Sequence, residues 1–347
     1  MTRAARVLAA LEIAARISDR ADPLGREARE GLEALGVLSK EGVELALSTH
    51  VERAEDTDLA AVLASVGEAR RAWVVASANV CVAPIRAIAL GLAAADEVIV
   101  KPSRRDPVIA RLLVRELDLR GLSVREATAL EAEPGDVVHA YGSDETIATI
   151  ARSLAPGVAF VGHGTGLGLA VVAADDDVHA ATAALAADVV AFDQAGCLSP
   201  RVCVVEGDAA RGDAVAAALS DALSRSGREV PRGPSTEGDR LALLEYERTM
   251  LAIGAIHRGE HHLVGVDAAA PRILVGPPLR VVTVVAYPTA ADALGALAPL
   301  SRLLTAIGAG AGAFAAALRR AIPGARPSAL GAMQRPPFDG PVDRRGH

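Results

Sequence analysis

The sequence predicts an α/β protein built from two lobes. At 347 residues, the chain is long enough for two domains of ordinary size. From Ala72 onward, short Val- and Ile-rich runs alternate with Ala- and Leu-rich stretches of helical length, which is typical of βαβ units around a parallel sheet. Hydrophobic residues make up 51% of the chain and charged residues 23%, a composition that indicates a folded globular protein and excludes extended disorder.

Charge and hydropathy exclude several other classes of protein. The net charge is −7 and the 36 Lys and Arg residues are scattered, so we expect no nucleic acid partner. The most apolar stretch, residues 303–318, is shorter than the roughly 20 residues of a membrane-spanning helix. We interpret it as a buried helix and expect no membrane span. Charged residues interrupt the N-terminus, and three cysteines fit reduced thiols better than disulfides, so we expect a cytoplasmic protein.

The first lobe begins with helices and continues as alternating strands and helices. Residues 1–70 have apolar positions at helical spacing, with a turn at 21–25, and predict a covering layer. Beyond them the pattern indicates strands at 73–77, 97–100, 137–141 and 158–161, and helices at 84–94 and 145–154. This alternation is typical of a nucleotide-binding fold, and we predict one domain over residues 1–165.

The second α/β region starts near Gly168. The pattern indicates helices at 178–190 and 240–251, strands at 170–173, 202–206, 273–275 and 281–285, and a Gly- and Pro-rich stretch at 227–238. We predict a second domain over residues 166–335 and a Pro-rich, polar C-terminal tail over residues 336–347.

Two clusters that resemble ligand sites do not fit known fingerprints. The glycine-rich segment from Gly162 to Gly168 matches neither phosphate-binding spacing, so it is read either as a turn or interdomain hinge, or as a close approach to a ligand. His257, His261 and His262 have metal-like spacing, but Gly259 interrupts any helix there and no Cys or Asp completes a set. We expect no metal site.

One cysteine differs from the other two in its surroundings. Cys197 lies in a segment of small, polar and turn-forming residues between a predicted helix and a predicted strand, whereas Cys81 and Cys203 have the surroundings of inert core thiols. A nucleophilic thiol needs backbone N–H dipoles or a cationic neighbour that favours the thiolate. The turn around Cys197 is a candidate source of such dipoles.

An ordered set of motifs around this cysteine resembles a known superfamily. Asp193-Gln194-x-x-Cys197-x-Ser199-Pro200, together with Asn79, Lys101-Pro102-Ser103 and Tyr141-Gly142-Ser143, is similar to the aldehyde dehydrogenases. The most similar branch is that of the bacterial luminescence-type fatty acyl-CoA reductases. The similarity runs in order from about residue 72 to Pro200 and continues more faintly to residues 337–340. It implies an aldehyde dehydrogenase-like α/β fold, with a Rossmann-type cofactor domain and an α/β catalytic domain.

The resemblance implies a set of catalytic residues. Cys197 matches the nucleophile, and Asn79 matches the residue whose amide joins the cysteine N–H in an oxyanion hole. His163, 34 residues before Cys197, takes the place of the Glu that activates water in hydrolytic relatives. His163 is read either as a general acid or base, or as a structural residue.

The resemblance also implies cofactor-binding residues. Lys101 and Ser103 match the strand end that meets the adenosine ribose, and Gly142 and Ser143 match the turn that meets the pyrophosphate. Arg104 stands where an acid commonly grips the ribose hydroxyls. Because Arg pairs with a 2′-phosphate, NADPH is favoured and NADH is the alternative; otherwise Arg104 is a solvated surface residue.

A second departure from the family pattern bears on the reaction. Ile273 replaces a Glu that contacts the nicotinamide ribose in relatives. The loss of both acids argues against hydrolytic oxidation and for acyl transfer to or from a thiol. It is also compatible with a protein that has lost its activity.

We therefore predict NADPH-dependent reduction of an acyl-CoA thioester to an aldehyde through a thioacyl-cysteine intermediate. The alternatives are an NAD(P)-dependent aldehyde dehydrogenase, an acyl phosphate reductase, and a non-catalytic binding or scaffold protein that kept the fold. The family resemblance also implies a homodimer.

Overall fold

The chain folds into two compact units. The structure, a computed structural model, describes residues 1–53, 56–267 and 273–345. Unit 1 comprises Met1–Val37, Val43–Thr165 and Pro337–Val342. Unit 2 comprises Leu38–Gly42, Gly166–Pro336 and the segment that begins at Asp343.

Unit 1 contains a parallel sheet with helices before and between its strands. Its helices are α1 (Arg3–Ser18), α2 (Pro23–Leu35), α3 (Lys40–Thr49), α4 (Asp56–Ser65), α5 (Ala83–Ala94), α6 (Val108–Leu119) and α7 (Asp144–Ser153), with the start of α3 in unit 2. Its strands are β1 (Arg71–Val75), β2 (Glu97–Lys101), β3 (Ser123–Glu126), β4 (Val137–Tyr141) and β5 (Ala159–His163). The strand order is β3-β2-β1-β4-β5, which is the doubly wound order of dinucleotide-binding folds.

Local sequence explains the start and the core of unit 1. The turn predicted at 21–25 is shorter, because Pro23 begins α2 and the Asp22 side chain accepts the N–H of Leu24. Gly36, with φ of 62°, ends that helix in the left-handed conformation. The Val- and Ile-rich strands are buried in their central residues, as expected for a parallel sheet covered on both faces.

Unit 2 is built around a larger, mostly parallel sheet. Its helices are α8 (Val178–Val190), α9 (Ala209–Glu229), α10 (Glu237–Ile253), α11 (Ala290–Leu297) and α12 (Ala313–Ala321). Its strands are β6 (Leu167–Val172), β7 (Pro200–Glu206), β8 (Ala255–Arg258), β9 (Leu263–Val266), β10 (Val281–Tyr287), β11 (Leu304–Ala309) and β12 (Arg326–Ser328). The order is β12-β11-β6-β7-β10-β9-β8, and β8 runs antiparallel to β9.

The structure corrects three expectations and adds seven elements. The helix expected over 303–318 is wrong: this stretch divides into β11 and α12, because Gly310 and Gly312 lie between them and Gly312 has φ of 148°. Residues 273–275 form no strand. The expected Gly- and Pro-rich stretch at 227–238 is shorter, because α9 ends at Glu229 and α10 begins at Glu237. The sequence patterns did not indicate seven of the elements: α6, β3, α9, β8, β9, α11 and β12. In the described residues, no helix has the length and apolar character that a bilayer span requires.

Candidate active site

One edge of the unit 1 sheet collects most of the residues predicted to act. The strand order reverses between β1 and β4, and ligands of doubly wound sheets bind at the carboxyl ends of strands beside this point. Asn79 follows β1 and is exposed, Lys101 ends β2, Gly142 follows β4 and His163 ends β5. These residues therefore share the edge where a dinucleotide is expected. Cys197 belongs to unit 2.

The loop after β2 presents two exposed cations. Ser103 Oγ accepts a hydrogen bond from the N–H of Arg105 at 3.2 Å, which turns the chain directly after the strand. Arg104 and Arg105 are exposed, and in the described part of the chain neither has an ion-pair partner. The next acid, Asp106, is buried; burial raises its pKa to about 6, and it accepts the N–H of Val108. The loop thus offers positive charge to solvent.

The loop after β4 leads directly into α7. The N–H of Gly142 donates to the carbonyl of His163 at 3.1 Å, and Ser143 caps α7 by accepting the N–H of Thr146. Asp144 and Glu145 occupy the first turn, and Asp144 Oδ1 accepts the N–H of Thr165 at 2.7 Å. Because these carboxylates offset the positive helix end, the charge at this turn is not strongly favourable to an anion.

His163 lies in a strand rather than in the glycine-rich turn that the sequence suggested. It is buried, pairs with Tyr141 in the β4–β5 ladder, and its ring stacks on the Tyr141 ring with centroids 4.4 Å apart. The His139 ring is nearly parallel to it, with centroids 6.4 Å apart. The plane of the imidazole is therefore set by neighbouring rings. Whether His163 transfers a proton stays a prediction.

Burial separates Cys197 from the other two thiols. Cys81 and Cys203 are buried in the core of their units, and burial raises the pKa of each thiol to about 12. Neither forms a thiolate near neutral pH. Cys197 is partly exposed, in the loop between a 3₁₀ turn (Ala191–Gln194) and β7. Accessibility therefore agrees with the sequence in pointing to Cys197.

The residues before the cysteine adopt an unusual backbone. Phe192, Asp193 and Gln194 have φ of 54°, 50° and 66°, in the left-handed region that non-glycine residues rarely occupy. The fully buried Gln194 side chain compensates by donating to the carbonyls of Pro200 and Val281 at 2.7 and 2.8 Å. Its Oε1 accepts the N–H of Val281 at 2.8 Å. The Asp-Gln pair of the motif therefore shapes the cysteine loop against β10.

The other side of the cysteine loop rests on β6 and β11. The N–H of Gly168 donates to the carbonyl of Ser199 at 2.8 Å, and a Cβ at Gly168 would lie 2.2 Å from the carbonyl oxygen of Leu198. Only glycine permits this approach. The buried Thr305 hydroxyl lies within hydrogen-bond distance of the Cys197 carbonyl and at 3.1 Å from the Leu167 carbonyl. The cysteine is thus held at the amino ends of parallel strands.

Residues 70–322, which make up most of the chain, match the family model of acyl-CoA reductase (LuxC). This chain belongs to the acyl-CoA reductase (LuxC) family. The sequence resemblance is confirmed, and the family places the chain among oxidoreductases that act on the aldehyde or oxo group. No match was found among curated protein sequences.

Solved structures similar to this acyl-CoA reductase family member are aldehyde dehydrogenases and related oxidoreductases. An oxidoreductase from Marinobacter aquaeolei has a TM-score of 0.72 at 14% identity, over 97% of this chain and 79% of that one. An NAD-dependent benzaldehyde dehydrogenase from Corynebacterium glutamicum has a TM-score of 0.69 at 15% identity, over 96% and 83%. Proline utilization A has a TM-score of 0.66 at 18% identity, over 89% of this chain. This chain spans just over a third (36%) of that protein. The aldehyde dehydrogenase-like α/β fold is confirmed.

One histidine of the cluster, His262, has a structural role in this acyl-CoA reductase family member. His262 is buried, its Nε2 lies 3.0 Å from Ser220 Oγ, and burial lowers its pKa to about 4. His257 lies in β8. In the parts of the chain that the structure describes, no group of three or more His, Cys, Asp or Glu side chains is arranged to hold a metal ion.

Proposed function

We propose that the protein reduces an acyl-CoA thioester to an aldehyde with NADPH, through a thioacyl intermediate on Cys197. The observation that carries the proposal is the contrast between the three thiols. Cys197 is accessible and held in a shaped loop, while the other two are sealed in the cores. Membership of the acyl-CoA reductase family supports a thioester as the substrate.

The residues of the chain have defined parts in this reaction. The Cys197 thiolate attacks the acyl carbonyl carbon, a C–S bond forms, and the bond to the CoA sulfur breaks so that CoA leaves as its thiolate. The resemblance assigns the oxyanion to the Cys197 N–H and the Asn79 amide. Thr305 and Gln194 hold the cysteine loop during these steps. Once the acyl carbon has taken up a hydride, its C–S bond would break and return an electron pair to the Cys197 sulfur, which releases the aldehyde and restores the thiolate.

The edge of unit 1 supports a nicotinamide cofactor, which supplies the hydride when it is bound. Lys101, the Gly142 backbone and Arg104 are the groups that would hold it, at the edge where doubly wound sheets bind dinucleotides. A structurally similar indole-3-acetaldehyde dehydrogenase was solved with NAD⁺. Here the exposed Arg104, without an ion-pair partner among the described residues, favours NADPH.

Arg104→Gln is expected to weaken NADPH use selectively. Loss of one charge-assisted contact to a 2′-phosphate at an exposed site should raise the KM for NADPH by about tenfold and leave the KM for NADH nearly unchanged. Steady-state kinetics with both cofactors measure this. Arg125→Gln is the matched control, because Arg125 is an exposed arginine of the same sheet, paired with Glu97. An equal rise in the KM values for NADPH and NADH would contradict the assignment of Arg104 to the 2′-phosphate.

Asn79→Ala is expected to lower kcat by about 10²–10³-fold, because one oxyanion donor is lost. Asn79 is exposed in a loop, so the substitution should leave thermal stability unchanged. Single-turnover acylation of Cys197, followed by mass spectrometry, reports the affected step. A variant that acylates at the normal rate contradicts the assigned role.

A substrate panel tests the proposed function. Oxidation of NADPH is followed with acyl-CoAs of several chain lengths, with acyl phosphates, and with aldehydes in the reverse direction. Turnover with acyl-CoA and an acyl adduct on Cys197 support the proposal. Turnover with acyl phosphate alone, or hydrolytic oxidation of aldehyde alone, would replace it, and no cofactor binding by calorimetry would favour a non-catalytic protein. The homodimer stays a prediction, which sedimentation equilibrium measures.

A further inference from the structure

The segment that begins at Asp343 brings an arginine into unit 2. Arg345 lies outside residues 70–322, which match the family model. Its Nε and Nη2 donate to the two carboxylate oxygens of Asp343 at 2.9 and 2.6 Å, and its Nη1 donates to the carbonyl of Arg302 at 2.6 Å. The side chain is only 19% exposed. The guanidinium is therefore fixed and partly shielded from water.

Gly166 shows that this cation is close to the nucleophile. A Cβ built on Gly166 would lie 3.2 Å from Arg345 Nη2 and 3.3 Å from Cys197 Cβ. These two atoms are consequently no farther apart than about 6.5 Å, the sum of those distances. Thr305 Cγ2 lies 2.4 Å from the same Cβ position, so Thr305, Arg345 and Cys197 all pack around Gly166.

We propose that Arg345 is the cation that favours the thiolate of Cys197. The inference rests on the proposed function only in taking Cys197 as the nucleophile. A positive charge at this range stabilises a thiolate relative to a thiol, and incomplete exposure to water limits its screening. Arg345 does not react itself. Its charge would stabilise the negative charge on the Cys197 sulfur, so it is a positioning residue.

Other charged groups flank the cysteine loop. Asp193 pairs with Arg280, and Arg201 on β7 donates from Nη2 to the carbonyl of Gly276, while its buried Nε has no hydrogen-bond partner among the described residues. Asp188 on α8 accepts the N–H groups of Gly331 and Met333. Asp343 offsets part of the Arg345 charge. We therefore expect an effect near the lower end of the range for opposite charges, about one pKa unit.

The test is the pH dependence of Cys197 alkylation by iodoacetamide in the full chain, with modification counted on the Cys197 peptide by mass spectrometry. Arg345→Gln should raise the midpoint by about one unit. The rate at neutral pH should fall only about threefold, because a more basic thiolate is intrinsically more nucleophilic. Arg345→Lys keeps the charge and should keep a midpoint near that of the natural protein. Arg344→Gln, which alters the exposed neighbouring arginine, is the matched control.

The outcomes separate a charge effect from a structural one. An unchanged midpoint in Arg345→Gln overturns the inference, and so does an equal rise in Arg345→Gln and Arg345→Lys, which would indicate lost packing. The assay uses neither acyl-CoA nor cofactor. A shifted midpoint in a protein without reductase activity would therefore uphold the inference and refute the proposed function. An unshifted midpoint in a protein that reduces acyl-CoA would refute the inference and uphold the proposed function.

Discussion

Cys197→Ala is expected to abolish NADPH oxidation with acyl-CoA, a loss of about 10⁴-fold or more. The methyl group of alanine cannot form a thioester, and the remaining oxyanion donors have no covalent intermediate to stabilise. Absorbance of the reduced nicotinamide measures turnover, and mass spectrometry after incubation with acyl-CoA alone measures the acyl adduct. Both signals should disappear together.

The two core cysteines provide matched controls for this substitution. Cys81→Ala and Cys203→Ala each remove one buried thiol, so they should cost packing energy but leave turnover per folded molecule and the acyl adduct unchanged. Their raised thiol pKa of about 12 excludes them as nucleophiles near neutral pH. Undiminished turnover in Cys197→Ala, or an adduct on Cys81, would refute the thioacyl mechanism.

The three central strands of unit 1, β2, β1 and β4, were predictable because parallel strands inside a sheet are buried on both faces. Such strands read as short, continuous Val- and Ile-rich runs, and β4 was predicted at its observed bounds. The ends of the other strands differ by a few residues, since local composition does not decide where ladder pairing stops. β3 was missed because three of its four residues are polar and exposed at the sheet edge.

The stretch 303–318 shows where composition fails. Ala- and Gly-rich sequence has weak periodicity, so a buried strand and a buried helix look alike. What decides the outcome is tertiary: β11 pairs with β6 and β12, and a Cβ at Gly308 would lie 2.3 Å from the Met333 sulfur. The motifs led to the cysteine loop, but a single sequence carries no signal for Thr305, which contacts Cys197 from 108 residues away.

The same limit applies to the ion pair that anchors the cysteine loop. Asp193 Oδ1 accepts from Arg280 Nε at 2.8 Å, and Asp193 Oδ2 accepts the N–H of Gly233 at 2.9 Å. Arg280 Nη1 donates to the carbonyl of Val230 at 2.7 Å. The two side chains are only 13% and 1% exposed. Burial lowers the pKa of Arg280 even though Asp193 opposes the shift, so the cation depends on its counter-ion.

Asp193→Asn is expected to destabilise unit 2 by about 3–5 kcal/mol, because it leaves a buried arginine without a counter-ion. Asparagine tolerates the positive φ of this position, so the change isolates the charge. Unfolding followed by fluorescence or calorimetry should show a fall in Tm on the order of 10 °C. Glu97→Gln, which breaks the exposed pair with Arg125, should cost less than about 1 kcal/mol.

Removing the second charge distinguishes an ion pair from two independent contacts. Asp193→Asn combined with Arg280→Met takes both charges out of the interior, so the double variant should be more stable than Asp193→Asn alone. If the losses of unfolding free energy in the two single variants simply add in the double variant, the two charges do not interact across the loop. Because Asp193 precedes Cys197 by four residues, the single variant should also lose Cys197 acylation at temperatures below its unfolding transition. Recovery of acylation in the double variant would show that the uncompensated charge of Arg280, and not the loss of the ion pair itself, disturbs the loop before the nucleophile.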